Sequence, residues 1–474
     1  MKSALVWLRR DLRLRDHRAL FEATHHADKV LVVFVYDTVI LDELKDNKDK
    51  RLTFIHMSLE EVHKKLGEHG SGLLTLHGDP AQLIPMLADE LNVDGVFCSH
   101  DDDPYALRRD YEVAQKLGGQ GVEFHSYKDH VIFERQEVLN QSGLPFRVYT
   151  PYSKAWKTLF DESRHARDFK PDFSQLTPAE ALPKKHVGNL CLQKVGFEPS
   201  ELWLEAGEDA AAEQLAEFLE RVNDYSEDRN FPAIPGTSGL SVHLRFGTIS
   251  IRECVREAIS RKSEGSRKWL NELIWRDFYH MILANFPQVG AGHAFQDQYD
   301  NIHWPGDKVH FQAWKEGQTG FPIVDAAMRC LNATGWMHNR LRMICASFLV
   351  KDLLTDWRKG EAYFAEKLLD FELASNNGGW QWSASTGVDA QPYFRVFNPV
   401  LQSRKFDPKG EFSREWCPEL KEFDDKAIHS PSEASPMEQI AAGCEIGSDY
   451  PAPIVEHARQ KEIAIRLFES AKSS

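Results

Sequence analysis

The densest set of reactive side-chain types lies in seven consecutive residues, Asn376-Asn377-Gly378-Gly379-Trp380-Gln381-Trp382. Paired glycines weaken a helix and let backbone approach something flat or tight. The stretch therefore reads as a glycine-loosened turn between aromatics. Trp380 and Trp382 are one residue apart and cannot both fill one pocket wall, so one faces inward and the other outward. The chain has 12 tryptophans, and for any one of them core packing is the ordinary use of an indole. The neighbouring amides and glycines set this pair apart.

Three more constellations could carry chemistry. Thr237-Ser238-Gly239-Leu240-Ser241 precedes a helical pattern beginning near Val242. Hydroxyls and free backbone N–H groups at a helix start make a phosphate seat, and a plain N-cap at Ser241 is the simpler alternative. Trp269 and Glu272 share a helix face with Trp275 close by, and Glu272 and Arg276 have the spacing of an i,i+4 ion pair. A carboxyl between aromatic walls would instead stay protonated and donate a hydrogen bond. In Gly335–Met343, the residues Asn339, Arg340, Arg342 and Met343 put amide, guanidinium and thioether groups on one short helix; His338 reads as structural. Asp370 is a candidate ion-pair partner for one of these arginines.

Other chemistries are poorly supplied. The seven cysteines (Cys98, Cys191, Cys254, Cys330, Cys345, Cys417, Cys444) form no CxxC pair and no zinc-type cluster with histidine, so they read as buried thiols and no metal site is expected. The net charge of −15 argues against nucleic acid on its own. From Tyr225 to Gly410, however, 22 basic residues face 20 acidic ones, and Leu331–Val350 carries Arg340 and Arg342 without an acid. A locally basic face on an acidic protein is compatible with this distribution. Apolar runs such as Val30–Tyr36 are too short to span a bilayer. Two arginines in MKSALVWLRR interrupt any signal-peptide core, and a cytoplasmic protein is expected.

The elements that must position these groups fall into two patterns. Ala4–Leu8, Val30–Tyr36, Leu73–Leu76, Val93–Cys98 and Val122–His125 read as short strands. They alternate with helical stretches such as Arg51–Leu66 and Pro80–Leu91, which predicts a doubly wound parallel sheet of Rossmann-like α/β type. No GxGxxG follows a strand. Between Phe133 and Gly196, prolines at 145, 151, 171, 178 and 183 break the pattern. From Glu198 the three- and four-residue periodicity of helices takes over, through Asp209–Val222, Ile249–Ile259, Ser266–Ala284, Pro322–Thr334, Met337–Leu354 and Glu361–Leu369. The expected division is an α/β domain over 1–132, a linker over 133–197 and an all-α domain over 198–474.

Taken together and in order, the blocks YSEDRNFPAIPGTSGLS, WLNELIWRDFY, TGFPIVDAAMRCLNATGWMHNRLRM, DWRKGEAYF and NNGGWQWSASTG resemble the DNA photolyase/cryptochrome family. Weaker similarity covers WLRRDLRLRDHRAL and YPAPIVEH, so nearly the whole chain is included. Within the family the chain is most similar to class I enzymes for cyclobutane pyrimidine dimers. The resemblance implies a deoxyribodipyrimidine photo-lyase, a carbon–carbon lyase that works as a monomer on ultraviolet-damaged DNA. It implies one FAD in its reduced form, held by Tyr225, Thr237, Ser238, Gly239, Leu240, Ser241, Trp269, Asn339, Arg342, Asp370, Phe371, Glu372 and Asn376. Asn376 would face flavin N5. The family usually has Asp-Gly-Asp where this chain has Asp370-Phe371-Glu372, and proline is common where it has Val242.

The resemblance further implies a flipped-out dimer bound by Glu272, Trp275, Asn339, Met343 and Trp382, with Arg229, Arg340 and Lys405 on the phosphates of the damaged strand. Excited, reduced FAD would pass one electron to the dimer and recover it after ring opening. Glu272 would stabilise the charged dimer, and Trp380, Trp357 and Trp304 would form an electron chain to the surface. An antenna chromophore is expected beside Phe34, Arg51, Asp101 and Asp103. Tyr105 and Ala106 stand where folate-binding relatives carry Asn-Glu, and DDDPYALRRD favours 8-hydroxy-5-deazaflavin over methenyltetrahydrofolate or FMN. A cryptochrome-type blue-light photoreceptor and a (6-4) photolyase are the alternatives. Asn376 in place of an acid opposes the first, and Asn339 in place of a histidine opposes the second.

Overall fold

The computed structural model describes residues 1–188 and 191–472. Positions 189–190 of the expected linker and 473–474 at the end of the expected helical domain lie outside the described residues. Contacts divide the chain into two compact units. Unit 1 is Met1–Phe146, Thr150–Asn223 and Ser238–Asn285; unit 2 is Arg147–Tyr149, Asp224–Thr237 and Phe286–Ser474.

Unit 1 is built on a parallel sheet of β1 (Ala4–Leu8), β2 (Val30–Asp37), β3 (Leu73–Gly78), β4 (Gly95–Ser99) and β5 (Glu123–Tyr127), in the order β3-β2-β1-β4-β5. Ala4 of β1 pairs in register with Val30 on one side and Gly95 on the other. Every residue of β1, β2 and β4 is buried. Continuous apolar runs are what a parallel sheet covered on both faces requires. Helices α1 (Lys50–Glu68), α2 (Pro80–Leu91) and α3 (Pro104–Gly119) lie between successive strands. Asp79 caps α2 by accepting from Ala81 N, and Pro80 stands at its first turn. The strand order reverses between β1 and β4, which makes the carboxyl ends of those strands the switch point where such sheets bind ligands.

Unit 1 also contains α4 (Glu208–Arg221), α5 (Ser241–Phe246), α6 (Ile251–Ser260) and α7 (Glu264–Asn285). Contacts thus group these helices with the sheet, although their sequence pattern belongs with the helical half. For α6 the tie is a buried ionic network. Arg252 of α6 bonds Asp16 (2.9 Å) and Asp129 (2.8 Å), and Asp129 also accepts from Arg13 (2.7 Å). Hydrophobic periodicity cannot report such long-range pairs.

Unit 2 is helical. Its elements include α8 (Pro322–Thr334), α9 (Asn339–Ser347), α10 (Trp357–Lys367), α11 (Leu373–Ala384), α12 (Pro399–Phe406) and α13 (His457–Lys472). Trp314, Trp357, Trp380, Met328, Leu349 and Phe364 share one core. The single helix expected over Met337–Leu354 is instead α9 followed by a π turn at Phe348–Asp352.

The main correction concerns NNGGWQW, which is helical throughout and forms most of α11. Each glycine costs about 1 kcal/mol relative to alanine in a helix. Burial of Ala374, Trp380 and Ala384 offsets this, together with the i,i+4 bond from Gln381 Nε2 to Asn377 Oδ1 (3.0 Å). The helix ends at Ser385, which adopts a left-handed conformation with φ of +63°.

Candidate functional site

In unit 2 the centre of the site is an ion pair under the start of α11. Arg342 of α9 donates from Nη2 to Asp370 Oδ2 (2.7 Å) and from Nε to the Met337 carbonyl (2.8 Å). Asp370 is buried and its other oxygen, Oδ1, has no hydrogen-bond partner among the described residues. A buried carboxylate oxygen left unpaired is costly, which marks it as a group awaiting a donor. Phe371 packs against the core and is not among the residues with positive φ. Its backbone therefore has no need of a glycine. Glu372 is buried and accepts from Ser375 Oγ (3.0 Å).

Asn376 sits on the first turns of α11. Its Nδ2 donates to the Glu361 backbone carbonyl (3.2 Å), which leaves the amide oxygen and one N–H for another partner. Glu361, on α10, was not anticipated from sequence. Its carboxylate accepts from Asn377 Nδ2 (2.8 Å), and burial pushes its pKa up to about 7, partly countered by that bond. Asn377 continues to Gln381, whose Oε1 accepts from Phe295 N (2.8 Å). No local pattern marks Glu361: its partners lie 15 and 16 residues away.

Trp380 is buried and Trp382 half-buried, as expected of two indoles on different faces. Trp380 contacts the rings of Phe364 (4.9 Å) and Trp314 (6.1 Å), and Gly360 of α10 abuts its six-membered ring. Trp357 is fully buried at the start of α10, and Trp304 meets Phe468 edge-on (5.8 Å). Among the described residues, the buried indole N–H groups of Trp304, Trp357 and Trp380 make no hydrogen bond, whereas that of Trp314 donates to the Cys345 carbonyl. Trp314 stands out only in three dimensions.

The α9 group gathers around a sulfur. Asn339 Nδ2 and Arg340 Nη1 both lie 4.0 Å from Met343 Sδ. Arg340 also donates to Asn230 Oδ1 (2.8 Å) and lies over the Phe406 ring (4.3 Å). His338 is structural, as expected: its Nδ1 accepts from Arg340 N (3.1 Å) and caps α9. Burial and the nearby arginines lower its pKa to about 4. Arg229 lies over Tyr225 (5.3 Å), and Lys405, exposed on α12, over Phe406 (5.2 Å). Thr237 is half-buried.

In unit 1, α5 begins at Ser241, and Leu240 occupies the cap position. The N-cap alternative for Ser241 therefore does not hold. Ser238 Oγ accepts from Leu240 N (3.4 Å), and Gly239 has φ of +67°. Trp269 is buried against Phe218 (4.9 Å, edge-on). Glu272 and Trp275 are half-buried on α7, with Trp275 against Phe278 (5.6 Å) and Tyr279 (5.5 Å). Arg276 donates to the His130 carbonyl.

At the switch point of the sheet, Asp101 pairs with Arg10 (3.1 Å), and its Oδ1 accepts weakly from Asp103 N (3.3 Å). Burial raises both carboxyl pKa values; Arg10 and Arg9 more than reverse this for Asp101, but Asp103 stays raised. Phe34 stacks edge-on with Tyr36 (5.1 Å), and Arg51 is engaged by Asp49 (2.9 Å). Tyr105 donates to Asp37 Oδ2 (2.7 Å).

Two family models match the chain: "DNA photolyase" over residues 4–172 and "FAD binding domain of DNA photolyase" over residues 269–470. A deoxyribodipyrimidine photo-lyase of Synechococcus is 40% identical over 99% of this chain and 97% of its own length. The structure of a class III photolyase from Agrobacterium tumefaciens is similar with a TM-score of 0.91 at 35% identity, covering 100% of this chain and 98% of that one. A Synechocystis cryptochrome superposes with a TM-score of 0.87 at 29% identity, covering 98% and 99%.

Proposed function

The chain belongs to the DNA photolyase family, and from that premise we propose that it repairs cyclobutane pyrimidine dimers in DNA under light. The family is FAD-binding, and the residues of unit 2 suit a flavin. Asp370 Oδ1 is a buried acceptor without a donor. The Arg342 guanidinium is fixed by Asp370 and the Met337 carbonyl. The amide of Asn376 is oriented by donating to the Glu361 carbonyl, which turns its acceptor oxygen to a flavin N–H. That last observation carries the reading: residue 376 is a neutral amide held in one orientation, not an acid.

When bound and reduced, FAD would supply the photochemical one-electron donor for opening the cyclobutane ring. The protein's part is to bind, orient and exclude water. Tyr225, Thr237, Ser238, Gly239, Leu240, Ser241, Trp269, Asn339, Phe371 and Glu372 complete the flavin-holding set. Trp275 and Trp382 wall the flipped dimer, and Glu272 and Asn339 hydrogen-bond its pyrimidine edges. A distorted, poorly paired step costs less to flip than intact duplex, which gives selectivity. Met343 fills apolar space beside them. Arg229, Arg340 and Lys405 take phosphates, contacts that position without reading sequence. Trp380, Trp357 and Trp304 conduct electrons inward from the surface. Their N–H groups face no protein acceptor, so an oxidised indole there has no neighbouring base to take its proton.

For the antenna we favour 8-hydroxy-5-deazaflavin beside Phe34, Arg51, Asp101 and Asp103. Tyr105, held by Asp37, in place of the folate-type amide supports this choice. A long-wavelength deazaflavin band in the native holoprotein would agree; a folate-like near-ultraviolet band would overturn it. We further propose a monomer acting on chromosomal DNA in the cytoplasm. Among the described residues no helix is long and apolar enough to cross a membrane.

The photoreceptor alternative rests on the likeness to the Synechocystis cryptochrome. The assay that separates the readings uses reduced holoprotein with oligonucleotides carrying a cyclobutane dimer or a (6-4) product. Light-dependent restoration of the first alone is expected. Restoration of the second, or of neither, would refute the assignment.

A further inference from the structure

Lys351 has the least expected environment of any charged side chain in unit 2. It lies in the π turn that follows α9 and is 0% exposed. π turns often mark functional positions. Its Nζ donates to Ser385 Oγ (2.9 Å) and to the Arg395 carbonyl (3.1 Å). Its sequence neighbour Asp352 is also buried, but that carboxylate is engaged by His457 of α13 (2.6 Å). Burial makes the charged form of this amine expensive and brings its pKa down to about 7, and its two hydrogen bonds go to points ten residues apart.

Those points bound the loop leaving α11. The near arm of the loop is well tied: Thr386 O accepts from Gln296 N (2.9 Å), Gly387 O from Gln296 Nε2 (2.9 Å), and Gln391 Nε2 donates back to Ser383 O (3.1 Å). The far arm has fewer ties. Arg395 N closes a turn on Pro392 O (2.9 Å), and Tyr393 stacks on Phe468 (5.9 Å) beneath the Lys472 ammonium (4.3 Å). Lys351 is the side chain that joins the far arm to the near one. At that far end, Phe394 is 59% exposed and Arg395 is exposed beside it. An exposed aromatic next to a cation suits unstacked bases and phosphate. In the chain this loop falls between Trp382 and Lys405.

We propose that Lys351 is a positioning residue for damaged DNA, a buried clasp that holds the 385–395 loop in the shape that presents Phe394 and Arg395 to the strand. This rests on the photolyase reading above. Lys351→Met keeps much of the side-chain volume and removes both bonds, while Asp352 keeps His457 as its partner. It should weaken binding of dimer-containing DNA about ten-fold while turnover at saturating DNA changes less than two-fold. Trypsin should cut after Arg395 about ten-fold faster in the variant without DNA. Ser385→Ala, which removes one bond, should show a smaller change in the same direction and serves if Lys351→Met does not fold.

A double-mutant cycle separates a clasp from general destabilisation. In a Phe394→Ala, Arg395→Ala background, Lys351→Met should cost little further affinity. An equal loss in both backgrounds, or unchanged affinity and unchanged cleavage at Arg395, would overturn the proposal. If the unaltered protein showed no preference for dimer DNA, the functional reading would fall instead, and tryptic cleavage would still decide the clasp.

Discussion

Gly360→Ala tests the packing that holds Trp380. An added Cβ would lie 2.5 Å from Trp380 Cζ3 and 2.5 Å from Leu349 Cδ2, with Trp380 Cη2 closer still. Ordinary contact begins near 3.4 Å, so the indole would have to retreat by about 0.9 Å or more. Trp380 is buried and already packed against Phe364 and Trp314. Overpacking of this kind costs about 1–3 kcal/mol, and alanine in place of glycine in a helix returns about 1 kcal/mol. The net is a loss of up to about 2 kcal/mol, read as a lower melting point of the holoprotein. Moving Trp380 should also slow light-driven reduction of oxidised flavin several-fold, since electron transfer between rings weakens with distance. Absorbance after a flash measures the rate. A variant that melts at or above the unaltered protein and photoreduces at the same rate would refute the reasoning.

Trp304→Phe should slow photoreduction of oxidised flavin yet spare repair by pre-reduced protein; loss of both would remove Trp304 from the electron chain. Trp275→Ala should weaken binding of dimer-containing DNA by about 1–3 kcal/mol with little effect on undamaged duplex, measured by filter binding. Glu361 has a folded pKa of about 7, raised by burial. The folded state therefore holds its proton more tightly than the unfolded chain, and stability should fall as pH rises from about 4.5 to 7 and level off above that. Glu361→Gln should remove this slope from a melting-versus-pH series; a persistent slope would locate the proton elsewhere.

The α/β half was legible because each buried parallel strand is a continuous apolar run, and all five strands were found with ends correct to within two residues. Helices Pro80–Leu91 and Pro322–Thr334 matched at both ends because proline opens each one and Asn92 or Gly335 closes it in the left-handed region. NNGGWQW misled because glycine propensity is a local term, and burial of Trp380 with the Asn377–Gln381 bond outweighs it. The π turn at Phe348–Asp352 is invisible to a 3.6-residue period. In the site, the opposed faces of Trp380 and Trp382 and an arginine partner for Asp370 followed from residue type and spacing, while the choice of Arg342 came from the family resemblance. Glu361, Trp314 and Lys351 did not. Their roles come from partners on other elements, and neither a glutamate in GEAYF nor a lysine in VKDLL announces that it is buried.

The central claim is that this chain uses light to reverse pyrimidine dimers. Its most direct test is the ultraviolet absorbance of a dimer-containing oligonucleotide mixed with reduced holoprotein, followed through blue or near-ultraviolet illumination and in a matched dark sample. The account predicts recovery of intact-base absorbance in the light and none in the dark. No recovery in the light, with reduced FAD bound and the oligonucleotide bound, would contradict it.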